Sequence, residues 1–254
     1  MPKAVGYDAD AQAFITATGI TDLTQKNAIN QLVLDLKGYS IWTKMKALYP
    51  FVGGTATTHK FNLKNPLDTD AAFRLVFNGG WTHSSTGALS NGTNAYANSF
   101  FAPSVNQNVN SNGFGCYITQ NTSADPDPIV MGSFTGTGQA SLLVVKSTTM
   151  NTRLNSVTIS STISGGAGSF DAQKTDATTT SLYKNGSFLT SGNSGGLLTP
   201  YTEYIGSLNL ANGSYGFVSC YFRLAYFSEG LSSTEIGNLR TAVQTFQTSL
   251  SRQI

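Results

Sequence analysis

The feature that most restricts the fold of this 254-residue chain is a change of texture. From about residue 55 to 228 it becomes a series of short β-rich runs separated by Gly, Asn and Ser clusters, with no helix-length connection between them. A parallel sheet needs crossovers of roughly a dozen residues or more, so this stretch predicts an antiparallel sandwich or barrel of about eight to twelve strands. Ala71, Phe73, Leu75 and Phe77 alternate with Ala72, Arg74, Val76 and Asn78, as in a half-buried strand that closes at Asn78-Gly79-Gly80. Leu142 to Val145 is continuously apolar and predicts a strand buried on both faces, and Val157, Ile159 and Ser161 carry the pattern on towards Gly165-Gly166. Within Ser181 to Leu189, the pair Asn185-Gly186 supplies the two positive-φ residues of a type I′ turn, so the flanking runs should form a hairpin. Tyr204-Ile205-Gly206 reads as another short strand, and Gly216 to Phe227 as the longest.

Both ends have a helical period instead. A short helix over Ala9 to Thr18 has Asp8 or Asp10 as its cap, and from Thr21 the residues Ala28, Ile29, Leu32, Val33 and Leu36 build one apolar stripe before Gly38. Ser40 is then placed to cap a second helix carrying Ile41, Trp42, Met45 and Leu48, ended by Pro50. Near the other end, Ser232 and Glu235 have the spacing of a capping box, and Ile236, Leu239, Val243, Phe246 and Leu250 recur at three- and four-residue steps. The expected organisation is a helical docking segment over 1–54, a β-sandwich over 55–230 and an amphipathic helix in 231–254. Such stripes do not stay exposed: they pack on the sandwich or on a second subunit, for which Leu32, Leu36, Trp42, Leu239, Val243 and Phe246 are the candidate contacts.

Charged residues make up 11% of the chain, against roughly 25% in an average soluble domain, and the net charge is +2. The densest basic cluster is Lys37, Lys44 and Lys46 beside Leu36, Trp42 and Met45, which reads as the wet face of helices and argues against nucleic acid as a partner. No stretch approaches the roughly 20 apolar residues of a membrane-spanning helix, and the first residues lack the apolar run of a secretory signal. Cys116 and Cys220 fall on strand faces predicted to point inward, within Phe114, Cys116, Ile118 and Val218, Cys220, Phe222, Leu224. Two buried thiols or one disulfide both satisfy that placement, and without partnering histidines they make no structural zinc site.

Four motifs in sequence carry a resemblance. Tyr183-Lys184-Asn185-Gly186, then Tyr204-Ile205-Gly206-Ser207, then Tyr221 to Phe227, and finally Leu231-Ser232-Ser233-Thr234-Glu235-Ile236 are together similar to the laminin-G/concanavalin-A-like superfamily. The resemblance implies a jelly-roll β-sandwich. A second one rests on Ala47-Leu48-Tyr49-Pro50-Phe51-Val52-Gly53-Gly54, His59 to Pro66 and Asp70 to Leu75, which resemble a segment of tailed-bacteriophage structural proteins, including those of phages of gut Bacteroidetes. That implies a place in a virion as head decoration, fibre or tail component, acting through contacts with other virion proteins and with copies of itself.

Chemistry is sparse. Glycosidases on this fold carry closely spaced carboxylates on one strand, but the glutamates here are Glu203, Glu229 and Glu235, and none shows that pattern. Asp68 and Asp70 read as a turn entering a strand. Superfamily members often hold calcium at the rim, and Asp125 and Asp127 in Asp125-Pro126-Asp127-Pro128 are the weak candidates for it; no other cofactor or metal is implied. His59 and His83 lack a neighbouring cysteine, a paired carboxylate or a serine-nucleophile motif, so Trp81-Thr82-His83 reads as a strand end or loop. Rim aromatics stack on sugar rings while amides satisfy hydroxyls, which makes Trp81, Tyr96, Phe100 and Asn94 the candidate glycan-binding residues. The alternative is that these rings, with Phe101, belong to the core or to an interface.

The sequence therefore supports two readings: a non-enzymatic structural component of a phage particle, or a carbohydrate-binding module that adheres to host surface glycans.

Overall fold

The structure, a computed structural model, describes residues 6–122, 124–155, 157–211 and 213–254. Among the described residues the chain is mainly β, built from two sheets packed face to face with helices at both ends of the chain. This is the β-sandwich expected. The first sheet runs in the order Ser187–Asn193, Thr179–Lys184, Gly168–Lys174, Asn112–Ile118, Tyr221–Ser228, Gly87–Ser90 and Trp81–Ser84, with Met45–Tyr49 also paired to Tyr221–Ser228. The second runs Val157–Thr162, Thr149–Leu154, Ala140–Val145, Ile129–Phe134, Tyr204–Ile205, Tyr96–Asn98 and Val76–Asn78. A small hairpin of Leu208–Leu210 and Gly213–Tyr215 extends the second sheet, and its contact with Ile129–Phe134 is parallel whereas the other strand pairs are antiparallel. Asn185 (φ 51°) and Gly186 (φ 79°) form the turn of the expected hairpin, with Lys184 opposite Ser187.

Three apolar layers hold the molecule together. Phe51, Phe101, Phe114, Met131, Leu143, Phe170, Phe222 and Phe227 fill the space between the sheets. Leu142 and Val144 point the other way, into a small cluster with Ile129 and Leu208, so the strand read as buried on both faces is so. The outer face of the first sheet, through Tyr117, Tyr183, Leu224 and Tyr226, is covered by the helices Ala9–Thr18, Leu23–Gly38 and Ser233–Ser249. Two of their caps are the residues expected, since Asp8 accepts from Asp10 N and Ser232 and Glu235 form the reciprocal box; the helix Leu23–Gly38 is capped by Asp22, which accepts from Gln25 N. Cys116 and Cys220 are free and buried between the sheets, and burial pushes both thiols up. Among the described residues no helix is long and apolar enough to cross a membrane.

The structure corrects four expectations. The six residues proposed for a subunit interface, Leu32, Leu36, Trp42, Leu239, Val243 and Phe246, are all buried within the chain, because the terminal helices pack on each other and on the sheet. The helix expected after Ser40 is absent: Ser40 is left-handed (φ 60°), Trp42–Lys44 is a single 3-10 turn, and Met45–Tyr49 is a strand beside residues 225–228. In that strand Met45 and Leu48 reach the helical layer while Ala47 and Tyr49 reach the sandwich core, so the apolar spacing of a helix served two layers instead. The strand expected from Ala71 begins only at Val76, since Asp70–Ala72 is a 3-10 turn and Phe73 is left-handed (φ 60°). Arg74 clamps that turn, meeting Asp70 at 2.8 Å and Asp68 at 3.0 Å. Finally, a register shift between Phe222 and Leu224 turns Leu224 away from the inner face and under the helices.

Candidate functional site

The residues expected to hold a glycan are set against different partners. The Trp81 indole is half-buried at the edge of the inter-sheet core, packed against Phe77 (5.3 Å between ring centroids), Phe222 (5.9 Å) and His83 (6.3 Å). Tyr96 stacks on Tyr204 at 4.6 Å. Phe100 is half-buried with a left-handed backbone, and the neighbouring Phe101 is fully buried against Phe227. Asn94 organises its own loop, its Oδ1 accepting from Gly80 N and Asn91 Nδ2.

The histidines, distant in sequence, meet in space. His59 Nδ1 and His83 Nδ1 lie 2.9 Å apart, beside Phe51 and Phe77. Burial, then the nearby His83 and Arg252, holds His59 down at about 3, so the pair is neutral near pH 7 and ties the turn after Gly53-Gly54 to the edge strand Trp81–Ser84.

The carboxylates are dispersed. Glu203 is buried and accepts from Ser133 Oγ, and burial raises it well above the usual range. Glu235 caps its helix and pairs with Lys44 at 2.5 Å. Asp171 sits in a narrow void beneath the C-terminal helix with Cys116, Ser169, Tyr226 and Arg240, where burial lifts it to about 7 against a hydrogen bond from the Tyr226 hydroxyl. Asp127 pairs with Lys146 at 3.2 Å, and Asp125 Oδ1 accepts from Asp127 N. Among the described residues no group of three or more His, Cys, Asp or Glu side chains is placed to hold a metal ion.

The arrangement best suited to a ligand lies elsewhere, at one end of the sandwich around the short helix Pro103–Asn106. On one side is a cleft of about 460 Å³ lined by Lys46, Val105, Asn106, Gln107, Asn108, Ser111 and Glu229. On the other is a cleft of about 290 Å³ lined by Ser104, Gln107, Val109, Gln139, Leu197 and Leu198. The loop that forms them is pinned from below. Ser104 N donates to Thr199 O, Asn155 Nδ2 to Val109 O, Asn112 Nδ2 to Asn108 O, and Gln107 Nε2 to both Gly113 O and Ser228 O. Asn106 Nδ2 donates to Ala102 O, and Asn108 Oδ1 accepts from Asn110 N. These bonds leave Asn106 Oδ1, Gln107 Oε1 and Asn108 Nδ2 without a partner among the described residues. Lys46 and Glu229, both in the lining of the larger cleft, are ion-paired at 2.7 Å.

A loop whose backbone is held rigid while amide groups of both polarities remain available is preorganised to bind a hydroxyl-rich molecule, because little conformational freedom is lost on contact. Sequence reasoning passed over these residues in favour of aromatics. The signal was the amide-dense run Asn106-Gln107-Asn108, Asn110 and Asn112, together with Lys46 and Glu229, which only the pairing of their strands brings to it.

No protein-family model and no curated protein matches the chain. Solved structures do. The botulinum neurotoxin serotype D binding domain superposes with a TM-score of 0.54 at 10% identity, covering 80% of this chain and 52% of that one. Botulinum neurotoxin type C, whose cell entry depends on interaction with two ganglioside molecules, gives 0.55 at 11% identity over 81% and 52%. The binding domain of botulinum neurotoxin DC in complex with rat synaptotagmin II gives 0.52 at 11% over 80% and 53%. The chain thus spans about half the length of these three structures, and what it shares with them is a β-sandwich fold.

Proposed function

We propose that the chain is a carbohydrate-binding domain and that the clefts flanking Pro103–Asn106 hold the glycan. The observation that carries this is the set of unpaired amide groups fixed on a rigid loop at the end of the sandwich. The fold supports it in general terms, since one neighbour on the same sandwich engages gangliosides. The mode of action is binding: planar amides accept from and donate to sugar hydroxyls and the Glu229 carboxylate accepts from them, while Val105 and Leu197 offer apolar surface to the C–H faces of the rings.

A glycan array followed by calorimetric titration tests the reading. The double substitution Asn106→Ala and Asn108→Ala is expected to weaken binding at least about tenfold, the equivalent of one to two lost hydrogen bonds, with a melting temperature lowered by no more than the loss of the two loop bonds to Ala102 O and Asn110 N, while the sandwich stays folded. If binding survives in that variant and is lost on Trp81→Ala, the sugar sits against the indole instead. Release of new reducing ends from β-glucans on incubation would replace binding by hydrolysis.

The resemblance of residues 47–75 to tailed-phage structural proteins supports placing this domain on a virion, where adhesion to host surface polysaccharide is a use for it. Detection of the chain in purified particles by mass spectrometry tests that placement. Assembly with virion proteins or with copies of itself then has to run through surfaces other than the six buried residues, and light scattering at micromolar concentration gives the oligomeric state.

A further inference from the structure

We infer that the site takes an internal stretch of a neutral polysaccharide, across at least two sugar rings, and not an acidic sugar or a chain end; this rests on the carbohydrate-binding reading above.

Charge disfavours an acidic sugar. Of the residues lining the two clefts, Lys46 and Glu229 alone are ionic, and they neutralise each other at 2.7 Å. A sialic or uronic acid that paired with the Lys46 ammonium would sit beside the Glu229 carboxylate. That exchanges one ion pair for another while adding a like-charge repulsion. A neutral sugar meets no such conflict, since its hydroxyls both donate and accept and the site offers Asn106 Oδ1 and Gln107 Oε1 as acceptors and Asn108 Nδ2 as a donor.

Shape disfavours a chain end. Both clefts are lined by Gln107, so they adjoin at that residue and together offer a ligand an extended, open surface. Its apolar contacts stand in solvent: Val105 is 79% exposed and Leu197 65%. Specific recognition of a terminal sugar relies on enclosure, in which most of the ligand surface is buried. An unroofed surface gains little from any single ring and accumulates affinity along a chain.

The experiment is calorimetric titration of the full chain with four sets of probes: monosaccharides, neutral oligosaccharides of increasing length from β-glucan, mannan, xylan and arabinan, the same oligosaccharides capped at the non-reducing end, and acidic probes (oligogalacturonate and sialyllactose). Expected is binding to at least one neutral series, with a six-ring member at least about tenfold tighter than its monosaccharide, insensitivity to capping, and an affinity changed less than about twofold by added salt. Gln139→Ala, in the smaller cleft, should weaken the six-ring ligand and leave a two-ring ligand unaffected. Tightest binding to an acidic probe, equal affinity for monosaccharide and oligomer, or loss on capping overturns this inference while the carbohydrate-binding reading stands. Failure of every carbohydrate to bind overturns both.

Discussion

The outer face of the first sheet and the loop cluster around Pro103–Asn106 are both surfaces on which the sandwich has built something, and they are built in opposite ways. Beneath the helices, side chains do the joining: Tyr117, Tyr183, Leu224 and Tyr226 of the sheet meet Leu32, Leu36, Leu239 and Phe246 with little solvent access. At the loop cluster the backbone does the joining, through carbonyls of Val109, Asn108, Gly113 and Ser228, and the ends of several side chains are left over. The contrast teaches where to look for function in a chain with few charges. An apolar stripe is consumed by folding, whereas a polar loop whose main chain is already satisfied has groups to offer a ligand.

The comparison can be pressed by substitution. Phe246→Ala removes a fully buried ring from the helical layer and is expected to cost about 3–5 kcal/mol in urea unfolding. A loss below about 1 kcal/mol would mean the layer is not a packed core.

Asp171→Asn probes the polar void in the same layer. Because Asp171 is held at about 7 when folded, against an ordinary carboxylate value of 3.8, the native protein keeps a proton that the unfolded chain releases. Stability from this group is therefore full below about pH 4 and falls as pH rises through 7, by up to a few kcal/mol. The asparagine still accepts from Tyr226 and should flatten that decline, so its melting temperature should exceed that of the natural chain at pH 8 and approach it at pH 4. Equal pH profiles would break the assignment.

Ser232→Ala deletes the hydroxyl half of the capping box and is expected to cost about 1 kcal/mol. Smallest of all, Asn108→Ala should change stability by no more than about 0.5 kcal/mol. A larger effect would show that the amide holds the loop and is not free for a ligand.

The elements with strong local chemistry were legible in the sequence. Asn185-Gly186 demanded its turn, Ser232 and Glu235 their cap, and the apolar run of 142–145 a doubly buried strand, because each is decided by neighbours along the chain. What failed was decided at long range. Met45–Tyr49 has helical spacing and becomes a strand because Tyr221–Ser228 has an open edge at residues 225–228. Leu224 changes face because of a bulge that no single residue announces. The site was hidden for the same reason. Lys46, Asn106 and Glu229 come from three separate parts of the chain, while the aromatic residues that looked suited to sugars are placed partly by the demands of packing, as Trp81 is by Phe77 and Phe222.

The pinning of the loop from beneath has a consequence for how such a domain diversifies. Gln107, Asn112 and Asn155 supply the struts, and Val105, Asn106 and Asn108 ride on top of them. The upper positions can therefore be randomised as a small combinatorial library on an unchanged scaffold, retargeting the molecule from one surface coat to another without renegotiating its architecture.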